Sequence, residues 1–331
     1  MINTAIIGLG WWGSHIVNTL QDKSHKIHFV KAVDIEQDSK LEFAQSKGIE
    51  ITSNFDSVLK DSSIEAVVLA TPHSKHEEQI IAAAKAGKHV FCEKPLALTL
   101  ASAQRSVDAC EEAEVVLGVG HERRFEPAMQ KFCELIDHNE LGEIMHVEAN
   151  FSHDKLANLD ADNWRVSSSE SPAAAMTATG IHITDAYIQM FGPVDRIFAM
   201  TARRNPANFN GDILNISISF KSGITGSFNS VLETPLYIRF AIFGTKAWVE
   251  ARDYCHPSEV GTTDVFIGRN QNKIEQLSYE NVDTVKANFE AWADAISGVA
   301  DYPFTNKQNL ENIAVFEAIC QSADSGQLIK L

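Results

Sequence analysis

Cysteine is scarce in this chain, and basic residues are outnumbered. The five cysteines, Cys92, Cys110, Cys133, Cys255 and Cys320, are odd in number, widely spaced and form no C-x-x-C. That argues against a disulfide framework and a structural zinc site, and it suits reduced thiols in a cytoplasm. Lys and Arg number 28 against 44 Asp and Glu, a formal net charge of −16. A general nucleic-acid binder needs a basic face to neutralise phosphates, and an anionic membrane would repel this chain. A small anion is still allowed, since one local Lys or Arg can hold it. No apolar run approaches the roughly 20 residues of a membrane helix. The opening MINTAIIG has no charged region leading into an apolar core, so no signal peptide is expected. Internal repeats and low-complexity tails are absent as well.

What is there is a 331-residue chain with 44% hydrophobic residues, enough for sizeable cores and about two domains. The first ~120 residues alternate apolar runs with helical patterns. Strands are expected at Thr4–Gly8, Ile27–Asp34, Ile64–Pro72, Lys88–Pro95 and Val115–Gly120, with a weaker one near Ile49–Thr52. Helices are expected over 13–21, 37–47, 77–87 and 99–114. Continuous apolar strands separated by helices indicate a parallel sheet covered on both faces. The second half differs. A helix near 125–138 precedes a strand at Ile144–Asp154, a polar loop from Asp160 to Ala175, and a helix over 181–191. Sequential strands VDRIFAMTAR, DILNISISF, GITGSFNSV and YIRFAIFGT follow. NISISF alternates as a half-exposed strand should. The expected class is α/β: a dinucleotide-binding domain over 1–122, then a domain over 123–331 with a large, mostly antiparallel open sheet.

Gly8-Leu9-Gly10-Trp11-Trp12-Gly13 follows the first strand and opens a helix. In that context the first glycine permits a tight turn, the second lets a pyrophosphate approach the backbone, and the third lets helix and strand pack closely. The helix N-terminus offers N–H groups to the phosphates. Asp34 ends the second strand, 26 residues after Gly8, and is followed by Ile35 and Glu36 rather than an arginine. A carboxylate there can bind both ribose hydroxyls and repels a 2′-phosphate, so NAD is expected over NADP. Only the backbones of Trp11 and Trp12 need approach the pyrophosphate. One indole is expected to face the nicotinamide end, the other to pack under the adjoining domain.

At Ala70–Thr99, ATPHSKHEEQIIAAAKAGKHVFCEKPLALT, the sequence resembles the Gfo/Idh/MocA family of nicotinamide-dependent oxidoreductases. GHERRFEP, NWR, GIHITD, GTKAWVE and the closing NFEAWADAISG and NIAVFEAICQSADSG extend the resemblance over nearly the whole chain. It implies a Rossmann domain followed by an α/β domain whose open sheet serves as an interface in a homodimer or homotetramer.

The resemblance also implies site residues. Lys94, in Glu93-Lys94-Pro95, would polarise a substrate oxygen beside the nicotinamide, with Glu93 pairing with it. His182 would act as acid or base near the reacting carbon, as its ordinary pKa of about 6.5 allows. Ala70, Thr71, Pro72 and His73 would line the ribose and nicotinamide side of the cofactor, with His76, His121 and Arg165 also at the cofactor. One departure stands out. The family's aspartate four positions before the histidine is Ala178 here. Thr177 or Thr179 could hydrogen-bond substrate instead, and Asp185 lies one helical turn beyond His182. Arg124 is expected in inter-domain salt bridges. His73 and His76 form H-x-x-H, but no third ligand has matching context, so a solvated helix start is expected and no metal.

The expected activity is NAD-dependent hydride transfer between the nicotinamide and a sugar, polyol or cyclic hydroxy compound. Two other activities remain: glycoside hydrolysis through tightly held NAD, and a non-catalytic NAD-binding regulator on the same fold. The substrate pocket is expected mainly from Asn150–Ala175 and the strands near Ser230–Tyr237.

Overall fold

In the computed structural model, residues 1–156, 159, 163–206, 208, 210–257, 259–270 and 273–331 are described. Contacts divide the chain into two compact units, Met1–Glu122 with Val285–Ile313, and Arg123–Thr284 with Ala314–Leu331.

The first unit begins with β1 (Ile2–Ile7), α1 (Trp11–Leu20), β2 (Ile27–Val33), α2 (Gln37–Ser46), β3 (Glu50–Thr52) and α3 (Phe55–Leu59). It continues with β4 (Ala66–Leu69), α4 (His76–Lys85), β5 (His89–Cys92), α5 (Leu100–Glu112) and β6 (Leu117–Val119). The strands form one parallel sheet in the order β3-β2-β1-β4-β5-β6. This is a doubly wound order, and its reversal between β1 and β4 makes a crevice at the carboxyl ends of those strands. β4 is buried at all four positions, as a central parallel strand covered on both faces must be. Helix ends follow local chemistry: Thr99 accepts the Ser102 N–H at the start of α5, and Gly87 takes φ +69° just past α4.

The second unit carries α6 (Pro127–Asp137), β7 (Ile144–Ser152), α7 (Ile181–Phe191), β8 (Val194–Ala202), β9 (Ile213–Phe220), β10 (Thr225–Val231) and β11 (Tyr237–Gly244). β12 (Trp248–Asp253), β13 (Thr262–Asn270) and β14 (Lys273–Glu280) extend it. Its sheet runs β14-β13-β12-β11-β7-β10-β9-β8-β15, where β15 is Ile329–Lys330. All its pairs are antiparallel except β10 with β7. In β9 the buried Leu214, Ile216, Ile218 and Phe220 alternate with less buried residues, so one face is packed. α6 and α7 cover that face: Phe132 and Tyr187 lie 5.6 and 5.4 Å from the Phe240 ring.

Between β14 and β15 come α8 (Thr284–Ile296) and α9 (Asn306–Ser325). The stretch Val285–Ile313 returns to the first unit, a discontinuity that a division at residue 122 leaves out. Burial drives this return. Phe289 stacks on Phe91 at 3.8 Å, and Trp292 is wholly buried in the same apolar cluster. Burying such large rings stabilises by about 2–3 kcal/mol each. Among the described residues no helix is long and apolar enough to cross a membrane.

Candidate active site

The phosphate turn is built as its glycines require. Gly8 has φ +92°, and a Cβ there would stand 2.7 Å from the Ala70 carbonyl oxygen. At Gly13 a Cβ would drive into the Gly8 carbonyl, so only glycine lets α1 start this close to β1. At Gly10 a Cβ would meet nothing within 4 Å, which leaves the backbone open where a pyrophosphate would approach. Gly10 is the N-cap of α1 and has no capping side chain. The first N–H groups of the helix thus remain for an anion.

Asp34 follows β2 and reaches across to this turn. Its Oδ2 accepts the Leu9 N–H at 2.7 Å, and its Oδ1 accepts the Glu36 N–H at 2.9 Å. Each oxygen keeps a further lone pair, so the oriented carboxylate can still accept two ribose hydroxyls. Ile35 beside it is 91% exposed. These residues fit a dinucleotide, and they form the cofactor half of the candidate site.

Trp11 and Trp12 have ring centroids 5.5 Å apart but differ in burial. Trp11 is 74% exposed, whereas Trp12 packs against the first unit's own apolar cluster. The His15 ring stacks on Trp12 at 4.9 Å.

The ends of β4 and β5 carry the next group. Thr71, Pro72 and His73 follow β4 and Ala70. The Thr71 hydroxyl donates to Gln79 Oε1 at 2.6 Å. His76 is completely buried, with Nδ1 2.9 Å from the Pro95 carbonyl and Nε2 3.2 Å from the Thr71 carbonyl. The expectation of a solvated helix start is therefore corrected. His73 and His76 are both buried, because the loops after β4 and β5 close over the first turn of α4. The ring nitrogens of His76 face backbone oxygens of both loops.

Lys94 is half-buried at the carboxyl edge of the sheet, and the Lys94–Pro95 peptide is cis. Glu93 is buried, and its Oε2 accepts the Lys94 backbone N–H at 3.3 Å. Gly120 leaves room for that carboxylate, since a Cβ there would stand 2.5 Å from Glu93 Oε2. His121 follows, 2% exposed, with Nε2 3.2 Å from Asn312 Nδ2. The asparagine amide donates here, so His121 Nε2 accepts. Asn288 Nδ2 donates to the Val119 carbonyl at 2.9 Å, and Tyr302 donates to Asn288 Oδ1 at 2.6 Å. α8, α9 and the segment between them thereby brace the end of β6. Gln79, Asn288, Tyr302 and Asn312 are supporting residues that reading the sequence missed. Gln79 alone left a signal, three residues after His76 on the same helix face.

The second unit holds His182 in the first turn of α7, 6% exposed. A five-residue π turn, Met176–Gly180, runs directly into that helix. Such turns recur at functional sites. Thr179 in it is wholly buried. Its hydroxyl lies 3.1 Å from both the Ala175 carbonyl and Ser230 Oγ, and Ser230 donates onward to the Phe151 carbonyl. Thr179 therefore ties the turn to the sheet, and Thr177 beside it is 5% exposed. Arg124 forms a bidentate pair with Asp185, Nε to Oδ2 at 2.7 Å and Nη2 to Oδ1 at 2.6 Å, both side chains buried. The two residues belong to the same unit, and the pair commits Asp185 to Arg124. Arg165 stacks over the Trp164 ring at 4.2 Å. Of the expected pocket segment 150–175, residues 157, 158 and 160–162 lie outside the described residues.

Two family models match successive parts of the chain. The Gfo/Idh/MocA oxidoreductase model with an NAD-binding Rossmann fold covers residues 2–121, and the Gfo/Idh/MocA C-terminal domain covers residues 129–250. The chain belongs to the Gfo/Idh/MocA oxidoreductase family. A 1,5-anhydro-D-fructose reductase of Ensifer adhaerens is 25% identical over 87% of this chain and 86% of its own. A D-xylose 1-dehydrogenase (NADP(+)) of Haloferax volcanii is 24% identical over 100% of this chain and 98% of its own. A putative NADPH-dependent oxidoreductase from Desulfitobacterium hafniense shares the fold, with a TM-score of 0.90 at 24% identity over 99% of this chain and 97% of its own. The family's Rossmann domain is the parallel sheet with its Gly8–Gly13 turn. Its C-terminal domain includes the π turn and His182.

Proposed function

We propose that this family member is an NAD-dependent dehydrogenase or reductase acting on a sugar, polyol or cyclic hydroxy compound. The observation that carries the cofactor reading is the Asp34 carboxylate, held by the Leu9 N–H at the phosphate turn. Its negative charge disfavours a 2′-phosphate and suits free ribose hydroxyls. The substrate class is supported by relatives named as acting on 1,5-anhydro-D-fructose, D-xylose and myo-inositol.

When bound, the nicotinamide supplies or accepts the hydride. The protein's share is to place the substrate and manage its proton. Lys94 polarises the reacting oxygen, and Glu93, lodged against Gly120, fixes the backbone at Lys94. His182 exchanges the substrate's proton, and Thr177 or Thr179 hydrogen-bonds the substrate where the family's usual aspartate is Ala178. Ala70, Thr71, Pro72 and His73 line the cofactor, and Arg165 reaches toward its nicotinamide end. The large sheet of the second unit serves self-association into a dimer or tetramer. All five cysteines are free thiols, which supports a cytoplasmic location.

The test is reduced-nicotinamide absorbance with NAD and with NADP across a panel of aldoses, polyols, anhydrosugars and cyclic diols. Turnover with NAD on one substrate group supports the reading. Cofactor binding without turnover on any member points instead to a regulator or to hydrolysis through held NAD.

A further inference from the structure

The completely buried His76 meets two carbonyls that belong to different loops. The Thr71 carbonyl lies in the loop after β4, and the Pro95 carbonyl lies in the loop after β5, next to Lys94. A carbonyl only accepts, so each of these bonds needs an N–H from the ring. The neutral imidazole satisfies one carbonyl at a time, and the imidazolium satisfies both. One turn along α4, Gln79 takes the Thr71 hydroxyl. The first turns of α4 thus face Thr71 at its hydroxyl and its carbonyl, and the Lys94-Pro95 segment at the Pro95 carbonyl.

We propose that His76 is a positioning residue that clamps the loop of Thr71 to the loop of Lys94, so that the cofactor edge and the lysine hold one geometry. The inference rests on the dehydrogenase reading for its catalytic consequence, but not for the clamp itself. Parallel strands β4 and β5 are paired up to Leu69 and Cys92. The last backbone bond between them runs from the Glu93 N–H to the Leu69 carbonyl at 3.0 Å, and His76 bridges the loops beyond it. Buried backbone oxygens need such partners, and one ring placed between two of them couples their positions.

Two variants separate shape from hydrogen bonding. His76→Phe keeps a ring and donates to neither carbonyl. His76→Gln keeps an amide donor that can serve one. Backbone hydrogen exchange is measured on peptides covering 70–76 and 92–97, beside NADH affinity and steady-state kinetics. Faster exchange of both peptides in His76→Phe is expected, with little change elsewhere in the sheet. A fall in kcat of about tenfold or more with substrate KM within about threefold should accompany it, and His76→Gln should recover part of both. Unchanged exchange in both loops of a folded His76→Phe overturns the proposal. Should His76→Phe fail to fold, His76→Gln decides: loosening of at least one loop supports the clamp, and wild-type exchange in both overturns it. If the wild-type protein turns over no substrate, the dehydrogenase reading fails while the exchange result still decides the clamp.

Discussion

Asp34 Oδ2 accepts the backbone N–H of Leu9 at 2.7 Å, which joins the end of β2 to the glycine turn after β1. One carboxylate therefore shapes the turn and, on the proposed cofactor reading, sets the charge that a ribose meets. Asp34→Ser removes the charge and shortens the reach to Leu9. Its NAD affinity should fall about tenfold or more, and its relative affinity for NADP should rise. Titration of both cofactors by tryptophan fluorescence checks this, each tenfold being about 1.4 kcal/mol. Equal NAD preference in variant and wild type would contradict the assignment.

Gly10 and Gly13 should respond in opposite ways to alanine. Gly10 has φ −64° and open space around its missing Cβ, so Gly10→Ala should change stability by no more than about 0.5 kcal/mol. On the proposed cofactor reading its added methyl stands where a pyrophosphate approaches, so NAD affinity should drop about tenfold or more. Gly13→Ala forces a Cβ onto the Gly8 carbonyl and should cost about 2–4 kcal/mol in denaturant unfolding.

The Arg124–Asp185 pair should matter far more than a surface pair. Both side chains are under 5% exposed, so Asp185→Ala leaves a buried cation without its bidentate partner. A loss of about 3–5 kcal/mol is expected. Glu77→Ala, which opens the exposed pair with Arg105, should cost under about 1 kcal/mol. Comparable losses in the two variants would refute this ranking.

Ala173 and Ala174 both have left-handed backbones, φ +55° and +52°, just before the π turn. An L-residue there costs about 1–2 kcal/mol that glycine avoids, offset in part by glycine's freer unfolded chain. Each single Ala→Gly change should therefore raise stability, by about 0.5–1 kcal/mol. A lower Tm in both variants would rule out stored strain.

Acid should weaken the second unit through His256. Burial, and then the charges of Lys155 and Arg123, push its pKa from 6.5 down to about 3. The native state keeps this ring neutral, while the unfolded chain binds a proton near pH 6.5. The stabilising contribution is present above that pH and is lost as pH falls toward 3. Across that window wild-type stability should decline by up to about 4 kcal/mol more than that of His256→Leu, read from urea midpoints. Parallel pH profiles would contradict it.

The first unit was largely legible because its signals are local. A glycine turn, an acidic strand end and apolar runs between helices need no distant partner to be read. The edge strands of the second unit were harder. β14 is exposed at most of its positions, so it carries no apolar alternation to mark it. The return of Phe289 and Trp292 to the parallel sheet depends on the Phe91 ring, 198 residues before Phe289, and on the Val116 carbonyl, 176 residues before Trp292. His76 had the right spacing for a ligand pair, but its two carbonyl partners exist only once β4 and β5 lie side by side. Arg124 and Asp185 are 61 residues apart and carry no mutual signal along the chain.

On the proposed reading Lys94 serves the chemical step of an NAD-dependent enzyme. The most direct measurement compares Lys94→Ala with wild type on the substrate that the panel identifies, with NADH affinity measured on the same preparations. A fall in kcat of about 10²–10⁴ with NADH affinity within about threefold is the expected result. Wild-type turnover in Lys94→Ala would contradict the account.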